Sequence, residues 1–450
     1  MVRVTDMTHG RPIRLILLFS LPLMLGSVFQ QLYTIVDTII IGRGVGMQAL
    51  ASIGAADWIN WLVLWGLQGF TQGFAILAAQ EFGAGAYDRL RRVLAMIVKL
   101  SCWFGIAVTI ISLLLVRPLL TLLHTDPAVF GGAQTYLYVQ FGGSLIIIAY
   151  NMAAAVLRCL GDSRTPLFAI IAASFANIAL DLLFVMGFGW GIFGASFATV
   201  LAQLIAFLLC LRSLRRLPFV QLTKADWKTD PAILLHLCRL GIPTGLQMSM
   251  ITLGGMVLQS VLNGFGVVFV AGYTAANKLY GILESASVAF GYAMTAYMGQ
   301  NLGARNAARI DAGIRAVLVL SAEFTAAIVT AMLVAGKPLL GLFLSTEEAG
   351  AAEALAVAYQ YLMVLMAFLF ALFMLQAYRS SLQGLGEMTV PTLSGFAEML
   401  MRMGAALVLP TFIGQSGVFF AEGAAWVCAA ALNLVWYYMR IGKIKRDMLQ

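Results

Sequence analysis

The sequence predicts an all-α integral membrane protein with twelve transmembrane helices in two parallel six-helix repeats. Hydrophobic residues make up 61% of the chain and charged residues 11%, whereas a soluble protein carries about 25% charged residues. The apolar runs have the length of membrane-crossing helices, and none alternates with the period of two that a membrane β-strand requires. The second half of the chain also repeats motifs of the first, which predicts two equivalent sets of six helices.

Each apolar run is interpreted as one helix, because roughly 20 apolar residues cross a hydrocarbon core of about 30 Å. The first run is too long for the apolar core of a signal peptide and no clear cleavage site follows it, so it is interpreted as the first helix. The predicted spans are 15–41, 53–79, 93–116, 128–150, 165–187, 191–211, 240–264, 270–299, 316–336, 354–378, 390–413 and 418–439.

Basic residues predict the orientation of these spans, because cytoplasmic loops carry an excess of Lys and Arg. With the N-terminus inside, 22 of the 28 Lys and Arg residues, Arg379 among them, lie in segments on the cytoplasmic side and only three on the other. We therefore predict that both termini are cytoplasmic. The net charge of +8 lies in these short loops, so it indicates topology and not a partner such as nucleic acid.

Internal repeats indicate a duplication. Gln80-Glu-Phe-Gly-Ala recurs 220 residues later as Gln300-Asn-Leu-Gly-Ala, and Leu160-Gly-Asp recurs after 225 residues as Leu385-Gly-Glu. Six spans in each half is an even number, so both halves enter the membrane in the same direction and the repeats are parallel. The predicted organisation is an N-lobe of residues 1–218, a cytoplasmic linker of 219–239 and a C-lobe of 240–450.

The chain resembles the multidrug and toxic compound extrusion (MATE) family over essentially its whole length. The resemblance is carried by the two repeated motifs above, by Leu21-Pro22 with Val36-Asp37-Thr38 in the first span, and by Asn177-x-x-x-Asp181 in the fifth. It implies cation-coupled export of diverse, often cationic and aromatic compounds by alternating access. The details resemble the bacterial DinF-like branch, which implies the bacterial plasma membrane as the location.

That resemblance implies a coupling site in the N-lobe. Asp37 and Asp181 match an aspartate pair of the branch, and its polar partners fall at Asn177, Thr199 and Tyr136. Another branch has an essential glutamate early in the seventh span. Here the matching region offers Gln247 instead, which favours coupling in the N-lobe.

The spacing of the acids supports the same site independently. Asp37 precedes Gly42 by five residues and Asp181 precedes Gly187 by six, which places both carboxylates about 7–9 Å from the outer ends of their spans. Neighbouring carboxylates in a low dielectric cannot both ionise cheaply, so the pair predicts an acceptor for H⁺, or a cage for Na⁺ if amide and hydroxyl oxygens join it. The alternative for Asp37 is a bond to a neighbouring helix or an interfacial position.

Several other polar or helix-breaking residues have two interpretations. Pro22 and Pro243 are either hinges or static kinks. Glu398 and Arg402 are spaced as an i, i+4 ion pair. Glu284 contacts a cationic substrate or pairs with Lys278 or Arg402, and Gln247 is the second candidate substrate contact. For Asn177, Thr199 and Tyr136, interhelical hydrogen bonding competes with coupling.

The predicted function is secondary active multidrug efflux by H⁺ or Na⁺ antiport, with small-molecule drugs and the lipid bilayer as partners and the monomer as the unit. The alternative on the same fold is a flippase for a lipid-linked or amphipathic molecule. An enzyme is not predicted, because HExxH, GxSxG and Walker A motifs are absent from the sequence. The scattered Cys and His residues predict neither a metal site nor a cofactor, and a passive channel fits the duplicated chain less well than alternating access.

Overall fold

The computed structural model describes residues 4–343 and 350–449, and all regular elements in these ranges are helices. This confirms the predicted all-α class. The helices are α1 (Pro12–Gly44), α2 (Met47–Gly83), α3 (Tyr87–Leu122), α4 (Pro127–Gly142), α5 (Ser144–Cys159), α6 (Arg164–Asp181), α7 (Gly191–Arg215), α8 (Pro231–Asn263), α9 (Val267–Gly303), α10 (Ala307–Gly341), α11 (Ala351–Gly384), α12 (Thr389–Ile413) and α13 (Phe420–Leu449).

The number of apolar helices is close to the twelve predicted. Within the described ranges, ten helices are long and apolar enough to cross a membrane, and the bent pair of α4 and α5 makes an eleventh. The remaining predicted span, 270–299, lies in α9. Lys278 and Glu284 interrupt the apolar sequence of this helix, which explains why its composition is less membrane-like than that of the others.

The helices are longer than the predicted spans. Those of 33 to 37 residues, such as α1 and α2, are about 50–55 Å long at 1.5 Å per residue, which exceeds a hydrocarbon core of about 30 Å. The predicted span 128–150 is formed by two helices and not by one continuous helix. The chain bends by 50° between α4 and α5, at Gly143, where the Val200 side chain occupies the space that a Cβ would need.

The two halves repeat helix by helix. α1 and α8 have 33 residues each, and α2 and α9 have 37 each. Gly46 before α2 and Gly266 before α9 both have positive φ, at 110° and 92°. Gly161 and Gly386, before α6 and α12, do so as well, at 92° and 82°. Glycine adopts this conformation without strain, so the turns themselves are duplicated together with the helices.

Contacts divide the described residues into two compact units. The first holds residues 4–6 and 21–245, and the second holds 7–20 and 246–449 without 344–349. Helix α1 therefore begins in the second unit and continues in the first, and α8 does the reverse. The boundaries differ from the predicted lobes at these two helices. The predicted linker 219–239 lies in the first unit, and its last part is helical because α8 begins at Pro231.

Glycines set the packing of α2 on the first half of α8 within the first unit. A Cβ added to Gly73 would lie 2.6 Å from both the Gly241 Cα and the Leu240 carbonyl oxygen. A Cβ added to Gly241 would overlap the Phe74 ring. Small residues let membrane helices approach this closely, so these two glycines fix the separation of the helices.

The substitution Gly73→Ala is expected to destabilise the protein by about 1–3 kcal/mol, because the obstructing atoms belong to the backbone and the helices must separate. Thermal unfolding of the purified protein in detergent measures the loss. The matched control is Gly54→Ala on the same helix, where a Cβ meets nothing within 4 Å and alanine gains up to about 1 kcal/mol of helix propensity. Equal unfolding temperatures for the two variants would contradict the close packing described here.

Candidate functional site

Two helices of the first unit bring the predicted aspartates together. Asp37 lies on α1, and Asp181 is the last residue of α6, where a π-helical turn over Leu182–Gly187 follows. Such turns occur frequently at functional sites. Val36 directly precedes Asp37, and Ile178 lies about one helical turn before Asp181. Both pack against the apolar cluster that contains Ile40. The contact of α1 with α6 therefore sets the distance between the carboxyl groups.

The Asp37 and Asp181 carboxyl groups lie close enough to interact electrostatically with each other. Asp181 is 0% exposed, and no N–H or hydroxyl donor of the described residues bonds either of its oxygens or the Asp37 Oδ1. Two neighbouring carboxyl groups in a buried site cannot both ionise without a large cost. The pair is therefore a site at which a proton or another cation must compensate negative charge.

A cavity in the same unit lies one helical turn along from the aspartates. Its volume is about 40 Å³, enough for about three water-sized molecules. Tyr33 and Asn177, each four residues before one of the aspartates, both line it. Asn177 is 1% exposed and neither atom of its side-chain amide has a hydrogen-bond partner. An unpaired buried amide is costly. The Asn177 amide therefore offers the cavity a donor and an acceptor that no described side chain uses.

The structure brings four of the five predicted residues to this region. Thr199 of α7 lines the cavity, and its hydroxyl donates to the Ala195 carbonyl oxygen at 3.2 Å. Tyr136 of α4 is placed differently, outside the cavity lining. Its hydroxyl accepts a hydrogen bond from the Asn60 Nδ2 at 3.2 Å. Interhelical bonding, the alternative weighed for Tyr136, is therefore what the structure contains.

Sequence reasoning missed most of the polar lining. Gln30 and Tyr33 precede Asp37 at helical spacing and Ser174 precedes Asn177, a periodicity that could have located these three. The missed residues are Gln30, Tyr33, Tyr150, Ser174 and Gln203. Asp57 of α2 is a further acidic residue near the site. It is half-buried and lies within electrostatic range of Asp37, so a third acid belongs to the surroundings of the pair.

The second unit contains a buried ion network. The predicted pair of Glu398 and Arg402 is confirmed, with an N···O distance of 3.1 Å. Glu398 also accepts a hydrogen bond from Arg379 at 2.5 Å, and Arg402 pairs with Glu422 at 2.8 Å. Placing Arg379 in a loop was wrong, because α11 continues past the apolar run to Gly384 and buries this arginine on its inner face.

Two residues of this network stand at positions that line the cavity in the first unit. At the repeat offset of 225 residues, Glu398 corresponds to Ala173 and Arg402 to Asn177, both of which line the cavity. One guanidinium group and one carboxylate occupy these positions in the second unit, and Arg379 and Glu422 pair with them. The two repeats thus share one helix arrangement. At these positions the first unit has uncharged side chains around a cavity, and the second unit has an ion pair.

The two candidate substrate residues have partners within the second unit. Glu284 is half-buried on α9 and lies near Tyr280, which precedes it by one helical turn. No ion pair joins it to Lys278 or Arg402 in the part of the chain that the structure describes. Gln247 is 0% exposed and its Oε1 accepts a hydrogen bond from Gln383 at 2.9 Å. Substrate contact by either residue stays a prediction.

The candidate hinge residues lie where α1 and α8 pass from one unit to the other. Pro22 follows the change at Ser20–Leu21 by one residue, and Pro243 precedes the change at Gly245–Leu246 by two. Proline removes one backbone hydrogen bond from a helix. Each helix therefore lacks one backbone hydrogen bond close to the residue at which it passes from one unit to the other.

Comparisons with known proteins give a uniform result. The MatE family profile matches residues 22–183 and again residues 243–408, so the profile itself recognises the duplication. The probable multidrug resistance protein YpnP of Bacillus subtilis strain 168 is 31% identical over 455 aligned residues, covering 99% of this chain and 98% of that protein. The multidrug export protein MepA of Staphylococcus aureus strain NCTC 8325 is 23% identical, covering 94% and 93%.

Solved structures agree in fold. A MOP superfamily transporter from Pyrococcus furiosus superposes with a TM-score of 0.91 at 24% identity, over 98% of this chain and 99% of that one. An outward-facing multidrug resistance MATE family transporter superposes with a TM-score of 0.90 at 24% identity, over 98% of both chains. The helix order described above is therefore that of known transporters.

The substitution Arg379→Met is expected to cost about 3–5 kcal/mol, because it leaves Glu398 and Glu422 to share one arginine in a buried site. The double variant Arg379→Met/Glu398→Met keeps the balanced Arg402–Glu422 pair, so it is expected to be more stable than the single variant. Unfolding in detergent measures both.

The control for this comparison is Arg440→Met, which breaks a pair with Glu387 in which the arginine side chain is 39% exposed and costs at most about 1 kcal/mol. A double variant no more stable than Arg379→Met would show that charge balance does not govern this network.

Proposed function

Because the chain belongs to the MatE family of membrane transporters, we propose that it is a secondary active multidrug efflux transporter that exports cationic or amphipathic aromatic compounds in exchange for H⁺ or Na⁺. The names of YpnP and MepA, a probable multidrug resistance protein and a multidrug export protein, support drugs as the cargo. The observation that carries the proposal is the Asp37–Asp181 pair, whose buried oxygens have no donor partner.

The pair couples ion movement to transport through its charge. An isolated carboxylate in a low-dielectric site is unfavourable, so the pair binds a proton or a cation in one state and releases it in a state that hydrates the site. Asn177 and Thr199 add amide and hydroxyl oxygens. Oxygen ligands of this kind suit a hard cation such as Na⁺ as well as a proton, and both ions remain in the proposal.

Coupling is proposed for the first unit because an ion pair occupies the equivalent positions in the second unit. Glu398 and Arg402 neutralise each other there, so that network has no charge for an ion to compensate. Pro22 and Pro243 are proposed as the points at which α1 and α8 bend during alternating access, since each lacks one helical hydrogen bond. The termini are proposed to be cytoplasmic, and the functional unit a monomer in the bacterial plasma membrane.

The test is ethidium efflux from membrane vesicles under a proton or a sodium gradient imposed separately. Asp37→Asn is expected to lower efflux at least about tenfold at equal expression, because the ion-dependent step loses its acceptor. Asp181→Asn is expected to do the same. The matched control is Asp88→Asn, which removes an exposed aspartate paired with Arg91 and leaves efflux unchanged.

The outcomes separate the parts of the proposal. The gradient that drives wild-type efflux names the coupling ion. Efflux by Asp37→Asn at the wild-type rate would refute coupling at the aspartate pair. If the wild type moves no cationic dye under either gradient, drug export is wrong and the flippase alternative, with a lipid-linked or amphipathic cargo, takes its place.

A further inference from the structure

The segment before α1 is seated in a polar socket of the second unit. The Met7 side chain is 0% exposed. Its backbone N–H donates to the Gln300 Oε1 at 2.8 Å, and its carbonyl oxygen accepts from the Asn301 Nδ2 at 3.1 Å. Gln300 and Asn301 are themselves fully buried at the end of α9. A short segment that looks like a polar tail in sequence is therefore held by fixed partners.

Arg309 closes this socket with three donors. Its Nη2 donates to the Met7 carbonyl oxygen at 2.8 Å, its Nη1 to the Gly10 carbonyl oxygen at 2.8 Å, and its Nε to the Asn301 Oδ1 at 3.0 Å. The guanidinium also lies over the Tyr297 ring, 5.5 Å from its centroid. A planar fork of donors can bridge three acceptors at once, whereas a lysine ammonium is a single point charge.

The socket holds the start of the helix that carries the coupling acid. Residues 7–20 belong to the second unit, and α1 continues through Pro22 to Asp37 in the first. Ser20, the last of these residues, donates to the Ala289 carbonyl oxygen at 3.3 Å within the second unit. The position of the first nine residues of α1 is therefore set by the second unit, and the position of Asp37 by the first.

The first unit anchors α8 by different residues. Arg89, which corresponds to Arg309 at the repeat offset of 220, pairs with Glu81 at 3.0 Å. The segment before α8 is held instead by Lys99, which donates to the Trp227 carbonyl oxygen at 2.5 Å and to the Thr229 Oγ1 at 2.9 Å. The segments that precede α1 and α8 are thus both held by side-chain hydrogen bonds. Only the segment before α1 is held through the repeated motif, by Arg309 together with Gln300 and Asn301.

We propose that Arg309, with Gln300 and Asn301, is a positioning anchor that fixes the leading end of α1 to the second unit, so that a displacement of that unit moves α1 and reaches Asp37 along the helix. The anchor makes α1 a mechanical link of the transport cycle. Its role in transport rests on the proposed function, whereas the seating of Met7 does not.

Hydrogen exchange measured by mass spectrometry on the full-length protein in detergent tests the seating. In Arg309→Ala, exchange at the Met7 amide is expected to rise at least about tenfold, because the opening that frees this amide loses three opposing hydrogen bonds. Arg309→Lys is expected to give an intermediate rise. Arg89→Ala is the matched control, and exchange at Met7 is expected to stay at the wild-type rate.

Efflux kinetics on the same variants test the positioning role. In Arg309→Ala the maximal rate is expected to fall about tenfold while KM stays within about twofold, since the substrate site is intact and the conformational step is impaired. Arg309→Lys should recover part of the rate, and Arg89→Ala all of it. The unfolding temperature of each variant shows whether the protein has simply lost its fold, and Asn301→Ala repeats the test without changing a charge.

Unchanged exchange at Met7 in both Arg309→Ala and Asn301→Ala would overturn the anchor. Faster exchange with an unaltered maximal rate would overturn its role in transport. If the wild type exports no dye, the proposed function fails, and the exchange result still decides whether the socket holds Met7.

Discussion

Two carboxyl groups held against each other without a basic partner impose the main constraint on this protein. Asp37 and Asp181 form no ion pair with any Lys, Arg or His in the described part of the chain. Their contact is unfavourable unless a proton or cation is present, so the surrounding helices must supply the stability that the site removes. Tight apolar packing of Val36, Ile40 and Ile178 against each other does this directly beside the acids.

Duplication supplies the rest of the framework. Because the two halves have matching helices and matching glycine turns, each half can satisfy its own backbone hydrogen bonds and packing with the same geometry. The two halves then differ in a few buried side chains. Ala173 and Asn177 leave space in one unit, whereas Glu398 and Arg402 fill it in the other with an ion pair. A cavity and a buried ion network are thus built from one helical plan.

Much of this was predictable from the sequence, and the exceptions have physical causes. Apolar periodicity and the repeat offsets give the helix order, and the Asp37–Asp181 pair follows from resemblance and depth. The burial of Arg379 could not be predicted, because a positive charge after an apolar run usually marks a loop. The bend at Gly143 depends on Val200 of a distant helix. Met7 lies in a polar segment whose partners, Gln300 and Asn301, are almost three hundred residues away.

The ion network of the second unit also bears on how such a chain can evolve. Removing any single member of the Arg379, Glu398, Arg402 and Glu422 set leaves the buried network with an unbalanced charge. A path from this filled arrangement back to an open one would therefore pass through unstable intermediates unless two changes arose together. Single substitutions in this network are therefore selected against because they destabilise the protein. The described lining of the first repeat's cavity has no such network, so it is freer to vary.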